Sequence, residues 1–154
     1  MKYTVRTAFA SDISRIKILI EKSVRGLSAY DYTQEQIEGA LLSAWGLDTQ
    51  LIKDETYFVV ETENLLIGCR GWSYRATLFG NDRKKDRNPD ILNPAINSAK
   101  IRAFFIKPRY ARKGIGSMIM QQLARSCRNQ ILRTPLDDTK RPRLRSSLDT
   151  RTCP

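Results

Sequence analysis

From residue 101 to residue 126 the chain runs without a break through an apolar stretch, a proline step, a basic loop with two glycines and an amphipathic pattern. Ile101-Arg102-Ala103-Phe104-Phe105-Ile106 predicts a buried strand. Lys107-Pro108-Arg109-Tyr110-Ala111-Arg112-Lys113-Gly114-Ile115-Gly116-Ser117 follows at once. Ile115, Met118, Ile119, Gln122, Leu123 and Ser126 then recur at spacings of three and four, so the glycines lie where a strand turns into the first turn of a helix. The first N–H groups of a helix have no internal partner, and with the helix dipole they favour an anion. Glycines let phosphate oxygens approach that backbone. Arg109, Arg112 and Lys113 add positive charge beside it. Two readings fit these glycines on their own: a tight strand-to-helix turn, or a cradle for a polyphosphate. No Gly-Lys-Ser or Gly-Lys-Thr closes the run, and no six-residue dinucleotide fingerprint with a downstream acid is present, which disfavours nucleotide hydrolysis and dinucleotide binding.

The rest of the chain narrows the chemistry. With 154 residues, 41% hydrophobic and 28% charged, one folded domain is expected. There is no His, so Ser-His-Asp and Cys-His catalysis are excluded and any base is a carboxylate, a backbone group or water. Cys69, Cys127 and Cys153 form no metal-ligand spacing and read as reduced thiols, with Cys69 in the core. No apolar run approaches the ~20 residues of a bilayer span and no secretory h-region opens the chain, so the expected location is the cytoplasm, away from membranes.

Residues 3–6 alternate as a short strand. Ser11 offers an N-cap for a helix with apolar positions at Ile13, Ile16, Leu19, Ile20 and Val24, and Gly26 a stop. Thr33 and Gln36 make a capping box for a second helix through Ile37, Ala40, Leu41 and Ala44, ended by Gly46. After a short segment at 48–53, residues 56–61 predict a central strand and 65–74 its antiparallel partner, with Trp72 and Tyr74 on one face. Residues 80–98, with Pro89 and Pro94, have the composition of an exposed loop whose mixed charges are solvated.

Residues 101–126 resemble motif A of the GNAT acetyltransferases: the strand, the Ile106-Lys107-Pro108 step, the basic loop, Gly114-x-Gly116 and the helix stand in that family's order and spacing. The upstream strand, two helices and hairpin resemble the family's N-terminal half, so the likeness covers residues 1–128. It implies an α/β (α+β) fold, a mixed and mostly antiparallel central sheet flanked by helices, with the C-terminal part missing or altered. It also implies acetyl-CoA as the cofactor. The amides of Arg112, Lys113, Gly114, Ile115, Gly116 and Ser117 would surround the pyrophosphate, and the edge at Phe104, Phe105 and Ile106 would follow the pantetheine arm. The activity implied is acetyl transfer to an amine of a small molecule or peptide, and a homodimer is among the assemblies open to it. The family usually has Gln or Arg three residues before the first of these glycines; here that residue is Ala111, with Arg112 beside it.

Beyond residue 128 the likeness stops. Residues 129–154 contain no Tyr and no strand alternation, and read as an atypical basic tail, flexible and either unrelated or frameshifted. Residues 128–154 carry seven Lys or Arg against three Asp, a net of +4, which leaves +7 of the total +11 for the first 127 residues. No aromatic residues interleave with the tail's charges, and nucleic acid ranks last among the partners. Glu61 and Glu63 are the carboxylates weighed as a general base, with exposed turn residues as the plainer reading; Trp72, Ser73, Tyr74, Tyr30 and Tyr32 are weighed as an acceptor pocket against a role in the core. The two leading functions are an N-acetyltransferase and an acetyl-CoA-binding relative without turnover.

Overall fold

The computed structural model describes residues 2–77, 81–83, 87–94 and 96–133, the last three as backbone only. The basic tail from residue 134 and Cys153 lie outside the described residues. Four strands form one antiparallel sheet in chain order: β1 Thr4–Thr7, β2 Tyr57–Thr62, β3 Leu65–Ser73 and β4 Lys100–Ile106. Helices α1 Ile13–Leu27, α2 Gln34–Ser43 and α3 Thr49–Lys53 precede β2, and α4 Ile115–Arg133 follows β4, running past Arg128. The mixed architecture, with its antiparallel sheet between helices, is the one implied by the family resemblance.

Both faces of the sheet are covered, which is why β2 is apolar at consecutive positions. Tyr57 and Val59 pack with Ile16, Leu19 and Ile20 of α1, Leu51 of α3 and Cys69 of β3. Phe58 and Val60 point the other way, onto Ile115, Ile119 and Leu123 of α4 with Trp72 and Tyr110. Cys69 is in the core as expected.

Helix α2 has the anticipated capping box: Thr33 N–H donates to Gln36 Oε1 at 2.9 Å and Gln36 N–H donates to Thr33 Oγ1 at 3.3 Å. It ends at Ser43, not at Gly46. The start of α1 differs. Ser11 lies within a 3-10 turn, Ala10–Asp12, and the carboxylate of Asp12 takes the Phe9 N–H at 2.9 Å. Gly26 does not stop α1, which continues to Leu27. Its lack of a side chain serves a close approach, because a Cβ there would overlap Pro108 Cγ. Helix α3 was not anticipated: a five-residue helix is too short for periodicity to register, and only Asp48, whose Oδ1 accepts from Gln50 N–H at 3.2 Å, marks it.

The segment after β3 is more than a solvated loop. Asn81 is buried and donates to Ser43 O at 3.2 Å, Asp82 N–H donates to Leu47 O at 3.0 Å, and Arg75 bridges to Ile91.

The expectation that 101–106 is a buried strand is corrected. Among the described residues β4 pairs only with β3 and forms the sheet edge, leaving Ile101 47% and Phe104 44% exposed. An apolar run signals burial only if something lies on each side of it. The strand is also bulged: Cys69 faces Phe105 and Gly71 faces Arg102, so Ala103 and Phe104 together oppose Arg70. Ala103 takes a positive φ of 52° to accommodate the extra residue.

Candidate functional site

The bulge leads straight into the glycine-bearing turn. After β4, Pro108–Tyr110 forms a 3-10 turn, and Tyr110 is buried against the α4 core. Proline fits the first position of that turn because it has no N–H to leave unpaired. The chain then reverses through Arg112 (φ 59°) and Gly114 (φ 76°) before α4 begins. The carbonyl of Gly114 accepts the first helical bond, from Met118 N–H at 3.1 Å. The backbone N–H groups of 115–117, the first turn of α4, have no hydrogen-bond partner among the described residues. Free amides at the positive end of a 19-residue helix favour an anion.

The side chains divide the labour. Ile115 is buried and holds the turn onto the sheet, so its side chain is core and only its amide faces outward. Arg112, Lys113, Gly114 and Ser117 are exposed. Arg109 and Lys113 flank the Tyr110 ring, with Arg109 Cζ at 5.4 Å and Lys113 Nζ at 5.5 Å from its centroid. Gly116 lies against Phe104, and a Cβ there would come 3.0 Å from Phe104 Cζ.

The structure brings Phe104 against the glycine turn at Gly116. Sequence reasoning missed Arg70 on β3, whose guanidinium stacks over the Phe104 ring, 4.5 Å from its centroid. Its Nε is buried with no hydrogen-bond partner, and burial lowers its pKa. The one signal for it was a charge inside the apolar string 65–69 and 71–72. Phe105 turns into the α1-side core, and Ile106 N–H is engaged by Ser23 Oγ at 3.1 Å, which fixes the end of β4 to α1.

The other candidates separate. Glu61 is bound by Arg6 Nε at 2.9 Å and Nη2 at 2.8 Å and by Arg15 at 3.2 Å. The Arg6 hydrogen bond holds its pKa below the ordinary carboxylate value, so it is a structural anion and a poor base near neutrality. Glu63 sits exposed in the β2–β3 turn with φ 48°. Trp72 is core, with the Tyr74 ring 5.7 Å from it, and Ser73 is buried. Tyr30 is almost wholly exposed, and Tyr32 meets Trp45 edge-on at 5.7 Å.

Cys69 shows how dry the interior beside β4 is. Its Sγ accepts from Tyr57 O–H at 3.2 Å, and burial pushes its pKa up to about 12. At pH 8 its thiolate is scarce, so iodoacetamide is expected to leave Cys69 unmodified in the native protein and to label it fully after denaturation. Peptide mass spectrometry before and after guanidinium checks this; native labelling of Cys69 would show a looser core.

An antiparallel sheet flanked by helices in this arrangement is shared with solved N-acetyltransferases. It resembles the PaiA N-acetyltransferase of Thermoplasma acidophilum in complex with coenzyme A, with a TM-score of 0.60 at 14% identity over 84% of this chain and 74% of that one. It also resembles a GNAT family acetyltransferase of Brucella melitensis in complex with acetyl-CoA, with a TM-score of 0.53 at 14% identity over 84% and 70%. A GCN5-related N-acetyltransferase of Kribbella flavida has a TM-score of 0.50 at 12% identity over 84% of this chain, which spans 28% of that protein. No curated protein matches the sequence. The sequence does match the acetyltransferase (GNAT) family over residues 24–141. The chain belongs to that family.

No described helix is long and apolar enough to cross a membrane.

Proposed function

We propose that the protein is an N-acetyltransferase that moves an acetyl group from acetyl-coenzyme A to a primary amine of a small molecule or peptide. The free amides of 115–117 at the start of α4, with Arg112 and Lys113 beside them, carry this reading, since a helix N-terminus flanked by positive charge suits a diphosphate. The similar proteins from Thermoplasma and Brucella, which hold coenzyme A and acetyl-CoA, support it. Arg112, Lys113, Gly114, Ile115, Gly116 and Ser117 would hold the pyrophosphate, and Phe104 with the outer edge of β4 would flank the pantetheine. In the reaction the amine nitrogen forms the new N–C bond, the C–S bond breaks, the thiol leaves and the amine loses a proton. The protein's part is to hold the two reactants in line and keep fixed dipoles against the thioester oxygen.

Glu61 is committed to Arg6 and Arg15. That observation favours the second reading, a coenzyme-binding relative without turnover, unless a water or another group takes the proton. Isothermal titration with acetyl-coenzyme A, beside a thiol-release assay over a panel of amines, decides. Micromolar binding with thiol release is the expected result. Binding without release selects the second reading, and no binding overturns both.

A further inference from the structure

Behind the bulge, on the face of the sheet that carries α3, lies a cavity of about 160 Å³ whose lining includes Asp48, Ser73, Arg75, Arg87 and Arg102. Its three arginines are treated very differently. Arg75 is fully used: Nε and Nη2 each donate to Asp54 at 2.7 Å, and Nη1 donates to Pro89 O at 2.9 Å. Arg87 donates to Asp48 Oδ1 at 3.0 Å and to Asp82 Oδ1 at 3.1 Å. Arg102 has nothing comparable. Its side chain is only 9% exposed, yet Nε, Nη1 and Nη2 are all buried without a hydrogen-bond partner among the described residues. The nearest carboxylate oxygen, Asp48 Oδ2, is 3.9 Å from Nη1, which is beyond hydrogen-bond reach.

A buried guanidinium with no acceptor is costly, and burial lowers the pKa of Arg102 accordingly. Two neighbours with saturated geometry show that this corner of the fold satisfies its arginines when it can. The unmet valence is a planar fork of N–H donors, and the group that matches it is a carboxylate, held through two parallel bonds. At roughly 30 Å³ per water, the cavity has room for such a group. Arg102 also stands two residues before Phe104 on the same strand, roughly 7 Å along it at the rise of a β-strand. The bulge turns the two side chains to opposite faces, Arg102 toward α3 and Phe104 toward α4, so an anion bound at Arg102 is separated from the coenzyme edge by the thickness of this edge strand alone.

We infer that the Arg102 cavity is the acceptor subsite and takes a carboxylate, so that the acceptor is an amino acid or a short peptide bearing a free carboxyl group. The acceptor role rests on the coenzyme reading of the 112–117 turn; carboxylate binding at Arg102 does not.

The test compares the twenty L-amino acids with their carboxamides, which share the amine and differ in the carboxylate. Titration calorimetry is run on the protein alone and with saturating coenzyme A, and acetylation is followed by thiol release. At least one amino acid is expected to bind tenfold or more tightly than its amide. Arg102→Gln is expected to remove that preference, losing about a hundredfold in affinity as for a lost charged hydrogen-bond pair, while coenzyme A affinity stays within twofold. Should Arg102→Gln unfold, Arg102→Lys, which keeps the charge but not the fork, is measured in its place and should lose at least tenfold. An amide bound as well as its acid in every pair, or a preference unchanged in the Arg102 variant, overturns the inference even if coenzyme A binds. Loss of coenzyme A binding alone, with the carboxylate preference intact, removes the acceptor role and the reading of the turn, and leaves the anion site.

Discussion

Replacing Gly114 and Gly116 together by valine is expected to lower acetyl-coenzyme A affinity at least a hundredfold while the sheet and helices remain folded. The two positions act by different routes. Gly114 sits at φ 76°, a region that a β-branched residue enters only with strain of roughly 1–3 kcal/mol. Relief of that strain would rotate the turn and shift the free amides that open α4. Gly116 has ordinary helical geometry, but a Cβ there would stand 3.0 Å from Phe104 Cζ, and the two further methyls of valine would drive the ring off Arg70. They would also project where phosphate oxygens must come within about 2.9 Å of the backbone. Losing two or three charge-assisted hydrogen bonds at about 1.5–3 kcal/mol each gives the hundredfold figure or more. The competing view, that the glycines only make a tight turn, predicts lower stability and no coenzyme affinity to lose in the parent protein. Calorimetry with far-UV circular dichroism separates the two. Unchanged affinity in a folded double variant would refute the amide cradle.

Why this turn could be read from the residues is a matter of distance along the chain. Pro108, Gly114, Gly116 and the α4 apolar stripe all act on neighbours within a few positions, as do Thr33 and Gln36 at the start of α2. Local geometry writes itself into local spacing. What escaped depends on partners far away. Arg6 and Glu61 pair across 55 residues, and only that contact shows Glu61 to be structural. The exposure of Phe104 depends on what lies beyond β4, and the bulge at Ala103 on a mismatch with Arg70 that neither strand displays alone. Arg102 looked like one more charge within a strand. Its meaning came from Asp48 lying 3.9 Å away, its other oxygen already taken by Arg87 and Gln50. Gly26 misled for the same reason: a helix stop by composition, it is a contact point for Pro108 by packing.

The ion-pair cluster that disqualifies Glu61 as a base also makes the strongest stability prediction. Asp12 is buried and accepts from Arg6 Nη1 at 2.7 Å, Arg6 Nη2 at 2.9 Å and Phe9 N–H at 2.9 Å, with Arg15 at 3.4 Å. Arg6 forks between Asp12 and Glu61, so one guanidinium joins edge strand β1, the start of α1 and β2. Asp12→Ala removes the cap and leaves Arg6 half-compensated. Deleting one partner of a buried pair costs about 3–5 kcal/mol; with Arg6 27% exposed, about 2–3 kcal/mol is the fair expectation. For a domain of this size that lowers Tm by roughly 6–15 °C. Arg6 holds the pKa values of Asp12 and Glu61 below their ordinary 3.8 and 4.5. A carboxylate depressed in the folded state contributes its full stabilisation above its unfolded pKa and loses it as pH falls through the folded one. The wild-type Tm should therefore fall more steeply than that of Asp12→Ala as pH drops below about 4, and the gap between the two should keep narrowing toward about pH 2. Asp12→Asn, which keeps an acceptor for the Phe9 N–H but not the charge, should lie between them at pH 7 and share the flatter acid limb. Thermal melts across that range measure both effects. Parallel curves for wild type and Asp12→Ala, or a Tm loss under about 2 °C at pH 7, would mean that the cluster is solvated and that β1 is held by its ladder to β2 alone.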